Sequence, residues 1–199
     1  DNPDFIRIKG NLLLEGGLFE EALSCFNHGL SILPNDGPML VGKSSCELGL
    51  KDPTQAKQTS EKAVIVLVNA PQAWFNLGKA LSELDAHREA VDALSRAIAL
   101  KSDYHLARLV MAQSQIKIRD YRGALEQLEV LRGSNSEDQR WRPMLSETLR
   151  KLGQPDKAHQ LVTDEMLRQS EEPRLWVAKG ASLKDLGRSA EAREAYWGA

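Results

Sequence analysis

Apolar residues recur every three or four positions along most of this chain, and short polar stretches separate the apolar segments. The clearest case is residues 71–102, where two such periodic segments, each about a dozen residues long, flank a polar break at residues 84–87. Leu77 and Leu81 mark the apolar face of the first segment, and Leu94 that of the second. This pattern predicts two amphipathic helices joined by a short turn, which is a helical hairpin.

Small residues stand opposite large ones on the two predicted faces. Gly78 and Ala90 are expected to let the helices approach closely by making room for large side chains of the partner helix. A lone hairpin cannot bury both of its faces, so it needs neighbouring hairpins.

The hairpin pattern repeats at intervals of 34 residues. One position of the repeat is alanine six times, at Ala22, Ala56, Ala90, Ala124, Ala158 and Ala192. Another is always small, at Gly10, Ser44, Gly78, Ala112, Ser146 and Gly180. A fixed period of this length predicts a stack of similar helical units.

These residues resemble the tetratricopeptide repeat family, whose unit is a 34-residue helix-turn-helix. Trp74, Leu77, Gly78, Ala90 and Ala97 stand where the family has Trp, Leu-Gly and two Ala residues. The resemblance covers nearly the whole chain. It implies an all-α, right-handed superhelical solenoid of antiparallel helix pairs, with about six repeats and roughly 12 helices. Units are expected near residues 3–36, 37–70, 71–104, 105–138, 139–172 and 173–199, in a single array over residues 1–199.

The sixth unit stops without the polar helix that usually covers the end of a repeat array. We expect the sequence to be a piece of a longer protein. The alternative is self-association, in which the exposed end around Trp197 packs on another copy.

Three stretches depart from the family pattern. Residues 64–68 are β-branched enough to suggest a buried strand, but Ala56 and Ala63 fall in the repeat pattern, so a helix is predicted. Val68 replaces the family's closing Pro, which suggests a frayed or extended helix end. Trp141 lies one residue before its expected position and predicts a shifted helix start, and residues 133–136 predict a loop.

The charge balance argues against binding to nucleic acid or to an anionic membrane. The chain has 26 basic and 28 acidic residues, with a net charge of −2. The longest apolar run, residues 63–68, is too short to span a bilayer, so no membrane insertion is expected. The compartment is left open, with cytoplasmic as the default and a periplasmic or secreted location if a signal peptide has been removed.

One segment matches the phosphate-binding loop G-x-x-x-x-G-K-[ST], at residues 37–44. That loop binds phosphate through backbone N–H groups that follow a β-strand. Here a helix end and turn precede the segment, and Ser44 occupies a small-residue position of the repeat. If Lys43 and Ser44 lie inside a helix, their N–H groups are already bonded. The match is therefore interpreted as a coincidence, and no cofactor is predicted.

No other residues indicate chemistry. The four histidines, His28, His87, His105 and His159, are scattered without a metal-ligand spacing. Cys25 and Cys46 are expected to be packing residues, since two cysteines make neither a disulfide framework nor a metal spacing. We predict no metal site, no catalytic residue and no enzymatic activity.

The resemblance implies a concave groove lined by the first helices of successive units. The predicted contact residues are Arg7, Asn11, Val41, Ser45, Phe75, Lys79, Leu109, Gln113 and Lys117, with Glu83, Pro143, Glu147, Val177 and Ala181 as further candidates. Val41, Phe75 and Leu109 would form an apolar strip. The alternative is that they are apolar only because they pack against neighbouring helices.

The family's two-carboxylate clamp, which holds acidic C-terminal tails of heat-shock chaperones, is not predicted. Arg7 and Asn11 imitate its first pair, but Gly42, Gln72 and Asn76 stand at the remaining positions and supply too little positive charge.

The sequence therefore predicts a protein-protein interaction scaffold that binds a peptide or partner helix in its groove. The alternative is a substrate-recruiting or assembly module of a larger enzyme, of the glycosyl- or sulfotransferase type, or of an export machine. That alternative rests on fold analogy alone.

Overall fold

The computed structural model describes residues 2–134, 139–162 and 173–198, and over these residues it contains twelve α-helices and no strand. The helices are α1 (Pro3–Glu15), α2 (Phe19–Ile32), α3 (Gly37–Gly49), α4 (Pro53–Val66), α5 (Pro71–Glu83), α6 (His87–Leu100), α7 (His105–Lys117), α8 (Tyr121–Gly133), α9 (Trp141–Lys151), α10 (Pro155–Leu161), α11 (Pro173–Asp185) and α12 (Ser189–Trp197). The predicted all-α repeat of helix pairs is confirmed.

The chain divides into two compact units, Asp1–Ser114 and Gln115–Ala199. The single array over residues 1–199 stays a prediction. Odd-numbered helices are the first helices of the hairpins, and even-numbered helices are the second. Five of the six first helices begin where the sequence predicts a unit to begin, and α9 begins two residues later, at Trp141.

Polar N-cap side chains and prolines in the first turn determine where several helices begin. Asp36 caps α3 by accepting a hydrogen bond from the backbone N–H of Met39 (2.8 Å), and Asp52 caps α4 by accepting one from Gln55 (3.0 Å). Several helices have Pro in their first turn, where its missing N–H costs nothing. Local sequence therefore decides where these helices begin.

The turn inside each of the six hairpins is built the same way. One residue takes a left-handed backbone with φ between 59° and 76°, and the next N–H bonds back to a carbonyl five residues earlier. The left-handed residues lie 34 residues apart, at Gly17, Lys51, Asp85, Arg119, Gly153 and Gly187. The 34-residue period is thus present in the backbone geometry as well as in the sequence.

Small residues let the paired helices come together. All six aligned alanines are buried, and so are all six residues at the second small position. A Cβ atom built on Gly78 would lie 2.6 Å from Cγ of Leu94, and one built on Gly10 would lie 2.7 Å from Cε1 of Phe26. The absent side chains therefore leave the space that the large residue of the second helix fills.

The structure shows the helix bounds at the three stretches that depart from the family pattern. Residues 64–66 belong to α4, so the predicted helix is confirmed over the possible strand. The same helix ends at Val66, so it does not extend through Val68. The late start of α9 at Trp141 agrees with the predicted shift. Residue 133 ends α8, and residues 135–136 of the predicted loop lie outside the described residues.

Glu47, on α3, is an unusual carboxyl group. It is 4% exposed, its Oε2 atom has no hydrogen-bond partner among the described residues, and Lys43 Nζ lies 3.9 Å from its Oε1. Burial raises the pKa of Glu47 above its usual value, although the Thr59 hydroxyl and the Lys43 ammonium act in the opposite direction.

Replacing Lys51 by glycine is expected to stabilise the chain, because Gly adopts the left-handed conformation without the steric cost that a Cβ atom imposes. Lys51→Gly should raise the free energy of unfolding by about 1 kcal/mol in a urea titration. The matched control is Gly187→Ala in the equivalent turn, which should lower it by a similar amount. A stability loss in Lys51→Gly would contradict this account of the turns.

Glu47→Gln is expected to be more stable than the wild type at pH 7, by roughly 1–2 kcal/mol, because it removes a buried and poorly paired charge. The folded-state pKa is raised, so the wild type gains stability as the pH falls through that pKa towards the unfolded value of about 4.3. The difference between the two proteins should therefore shrink on acidification. Urea titrations at neutral pH and near pH 4 measure it, and an equal difference at both would refute the assignment to Glu47.

Candidate functional site

The compact unit Asp1–Ser114 has a surface pocket of about 450 Å³ between its first helices, here called the neutral pocket. Its lining residues are Asn11, Leu14, Pro38, Val41, Gly42, Ser45, Leu67, Ala70 and Gln72. None of these nine residues is charged. The pocket therefore offers an apolar surface with a few amide and hydroxyl groups.

The compact unit Gln115–Ala199 has a comparable pocket of about 400 Å³, here called the basic pocket. Its lining residues are Pro143, Met144, Glu147, Arg150, Lys151, Arg174, Val177, Ala178 and Ala181. Three of them are cationic and one is anionic. Arg150 also donates from Nε to Oδ2 of Asp185 at 2.6 Å, which holds its guanidinium in place.

The two pockets use the same positions of the repeat. Six lining residues of the neutral pocket recur in the basic pocket 136 residues later, which is four repeat lengths. The corresponding pairs are Asn11 and Glu147, Leu14 and Arg150, Pro38 and Arg174, Val41 and Val177, Gly42 and Ala178, and Ser45 and Ala181. The fold thus forms a pocket at one defined place on its first helices, and the local residues decide its chemistry.

A chain of hydrogen bonds centred on the buried Asn76 fixes one wall of the neutral pocket. Asn76 is 1% exposed and donates from Nδ2 to the hydroxyl oxygens of Ser44 (2.8 Å) and Ser45 (2.9 Å). Its Oδ1 accepts from Nε2 of Gln72 (2.8 Å), and Oε1 of Gln72 accepts from the Tyr104 hydroxyl (2.5 Å). Because the carboxamide of Asn76 is held between α3 and α5, the two helices are fixed relative to each other.

Phe75 is covered by an aromatic neighbour. Its ring centroid lies 5.0 Å from that of Tyr104, and Phe75 is only 9% exposed. Burial raises the pKa of Tyr104 to about 12, against the effect of its bond to Gln72. The Phe75 side chain therefore belongs mainly to the core, and Tyr104 packs against it.

The structure brings together some of the predicted contact residues. Asn11, Val41 and Ser45 line the neutral pocket. Pro143, Glu147, Val177 and Ala181 line the basic pocket.

Other predicted contact residues lie outside both pockets. Arg7 pairs with Asp4 at 2.8 Å, and Lys79 Nζ lies 3.9 Å from Glu83. Gln113 and Lys117 are exposed on α7, where Leu109 is half-buried. Binding by the whole predicted set stays a prediction.

The cations of the basic pocket are not among the contact residues predicted from the sequence. Arg150 and Lys151 lie one turn beyond Glu147 on α9, and Arg174 lies one turn before Val177 on α11. Helical spacing from these predicted residues would have found all three cations, since side chains three or four positions apart share a helix face.

The match to a phosphate-binding loop falls within α3. Residues 37–44 are helical, the Ser44 hydroxyl donates to the Val41 carbonyl at 2.9 Å, and Lys43 faces Glu47. Helical N–H groups are bonded to carbonyls and cannot cradle a phosphate. Asn76, at a position of the two-carboxylate clamp, is likewise fully engaged by protein partners.

The remaining candidates for chemistry are cysteine and histidine side chains, and their surroundings fit structural roles. Cys46 is buried, and burial raises the pKa of its thiol to about 11, so the reactive thiolate is disfavoured. His87 lies 3.4 Å from Asp85, and Nε2 of His159 lies 3.2 Å from Arg188. Within residues 2–134, 139–162 and 173–198, no group of three potential metal ligands occurs. In the same ranges every helix is too short or too polar to cross a bilayer.

Comparisons with known proteins agree with this geometry. A family model for the tetratricopeptide repeat matches residues 71–104. The crystal structure of PilW, a widely conserved type IV pilus biogenesis factor, has a TM-score of 0.80 and 16% identity, covering 98% of this chain and 91% of that chain. Pseudomonas aeruginosa pilF has a TM-score of 0.78 and 17% identity, covering 98% and 88%. MamA from Desulfovibrio magneticus RS-1 has a TM-score of 0.73 and 19% identity, covering 80% and 90%.

At these identities the likeness to solved structures shows the fold alone. The matched unit at residues 71–104 adds the sequence signature, and the buried small residues repeat that unit along the chain. Residues 71–104 therefore match the tetratricopeptide repeat family, and the chain as a whole has the fold of tetratricopeptide repeat proteins.

Proposed function

We propose that this chain is a protein-interaction module that binds a peptide or a partner helix along its first helices. The observation that carries the proposal is the recurrence of a pocket at the same repeat positions in both compact units. Repeat proteins commonly use their extended concave surfaces for binding, because each unit presents equivalent side chains in a row. The process is a binding equilibrium with no covalent step.

The size and composition of the pockets support a peptide side chain as the occupant. Each pocket has apolar lining residues, among them Val41 in the neutral pocket and Val177 in the basic pocket. Burial of one large apolar side chain there contributes roughly 1.5–3 kcal/mol before ordering costs are subtracted. A single pocket therefore gives weak binding, and a peptide needs several contacts along the groove.

The rigidity of the neutral pocket also supports binding. Asn76 holds α5 against α3 through its hydrogen bond to Ser44, and Gln72 donates to the same Asn76 carboxamide, so the pocket is formed before a ligand arrives. A pre-formed site loses less free energy to ordering when it binds.

Pocket-filling substitutions test the proposal. Peptides are first selected from a random phage-displayed library on the whole chain, and the affinities of the enriched peptides are measured by fluorescence anisotropy. Asn11→Trp fills the neutral pocket and Ala181→Trp fills the basic pocket. One of these variants should weaken binding of an enriched peptide by about tenfold or more, because the indole occupies the space of the peptide side chain.

The matched controls are Ser95→Trp on α6 and Lys157→Trp on α10, both exposed on second helices. They should leave the affinity within about twofold of the wild type. If no peptide is enriched, or if the control and pocket variants weaken binding equally, the proposed function is wrong.

A further inference from the structure

The basic pocket differs from the neutral pocket in charge although the two share their repeat positions. Where the neutral pocket has Leu14 and Pro38, the basic pocket has Arg150 and Arg174, and Lys151 adds a third cation. The apolar lining residues, here called the apolar floor, are Pro143, Met144, Val177, Ala178 and Ala181. The basic pocket thus combines five apolar lining residues with three cations.

The cations lie at two ends of the pocket. Arg174 is in the first turn of α11, whereas Arg150 and Lys151 are in the last turn of α9. In the repeat, Arg174 and Arg150 stand ten positions apart, which corresponds to about 15 Å along a helix axis. The apolar floor lies between these ends.

We propose that the basic pocket binds an acidic peptide segment in which a large apolar residue is flanked on both sides by Asp or Glu. This proposal rests on the proposed function and specifies the ligand for one of its two pockets. An extended peptide advances about 3.3 Å per residue, so roughly four or five residues span the distance between the cationic ends. The apolar side chain enters the floor and the flanking carboxylates meet the cations.

The distribution of charge supports an acidic ligand. Arg174 and Lys151 are exposed, and among the described residues Glu147 is the single carboxylate that lines the pocket. Asp185 engages Nε of Arg150 and leaves the terminal nitrogens of that guanidinium as further donors. Carboxylates that accept hydrogen bonds from Arg or Lys form stronger bonds than neutral acceptors do.

A peptide fits this pocket better than a nucleic acid. Its lining residues, within the part of the chain that the structure describes, include no aromatic side chain on which a base would stack. The chain as a whole carries a net charge of −2, which disfavours a polyanion with many phosphates.

The test compares the peptides selected by three proteins from the same random phage-displayed library. These are the wild type, the double variant Lys151→Glu/Arg174→Glu, and the control Arg122→Glu/Lys157→Glu. The control reverses two exposed cations on the second helices α8 and α10 and changes the net charge by the same amount. Circular dichroism melting verifies that all three proteins are folded.

The wild type and the control should enrich peptides with a large apolar residue between acidic residues, and the pocket variant should lose this acidic preference. An enriched acidic peptide should bind the pocket variant about tenfold more weakly than the control, with a difference that shrinks in high salt. Enriched peptides without acidic residues, or equal binding to both variants, would overturn the proposal and leave the proposed function intact.

Two further outcomes are separate. Enrichment of no peptide by any of the proteins would refute the proposed function itself, and this proposal with it. A single-stranded oligonucleotide and the unlabelled peptide are each used to displace a bound acidic peptide. If the oligonucleotide displaces it at the lower concentration, the basic pocket is assigned to nucleic acid instead.

Discussion

The structure depends on the close approach of two helices at positions that hold only small residues. Gly10, Gly78 and Gly180 each leave the space that one large side chain of the partner helix fills, namely Phe26, Leu94 and Tyr196. Any side chain at these glycines would push the pair apart, since interiors packed to crystal-like density have no spare volume. Because each hairpin must also bury its outer face on a neighbour, the same spacing recurs through the chain.

This packing constraint separates the positions that carry the fold from those that are free to vary. The small positions and the left-handed turn residues are set by geometry, although Lys51, Asp85 and Arg119 show that the turn accepts a strained residue where Gly would fit better. The exposed positions of the first helices have no such requirement. They hold Asn, Leu and Pro in one pocket and Glu and Arg in the other. A repeat fold therefore varies its binding chemistry without a change in its core.

Much of the fold could be predicted from the sequence because its signals are local and repeated. The 34-residue recurrence of Ala and Gly identifies the hairpins, and Asp36 and Asp52 mark helix starts through their caps. The proposed binding surface is harder to predict. Phe75 has the spacing of a groove residue, but its burial depends on Tyr104, which lies on a later segment of the chain. The hydrogen bonds of Asn76 to Ser44 and of Tyr104 to Gln72 also join residues 32 positions apart, a relation that periodicity alone does not reveal.

The central claim is that equivalent positions of the first helices form the ligand-binding surface. The most direct measurement is a methyl NMR titration of the whole chain with an enriched peptide, observing Val and Ala methyl groups. If the first helices bind the peptide, chemical shifts change at Val177, Ala178 and Ala181 in the basic pocket, or at Val41 in the neutral pocket. No change is expected at Val130, which is exposed on the second helix α8. Changes at Val130 with unperturbed pocket methyls would contradict the central claim.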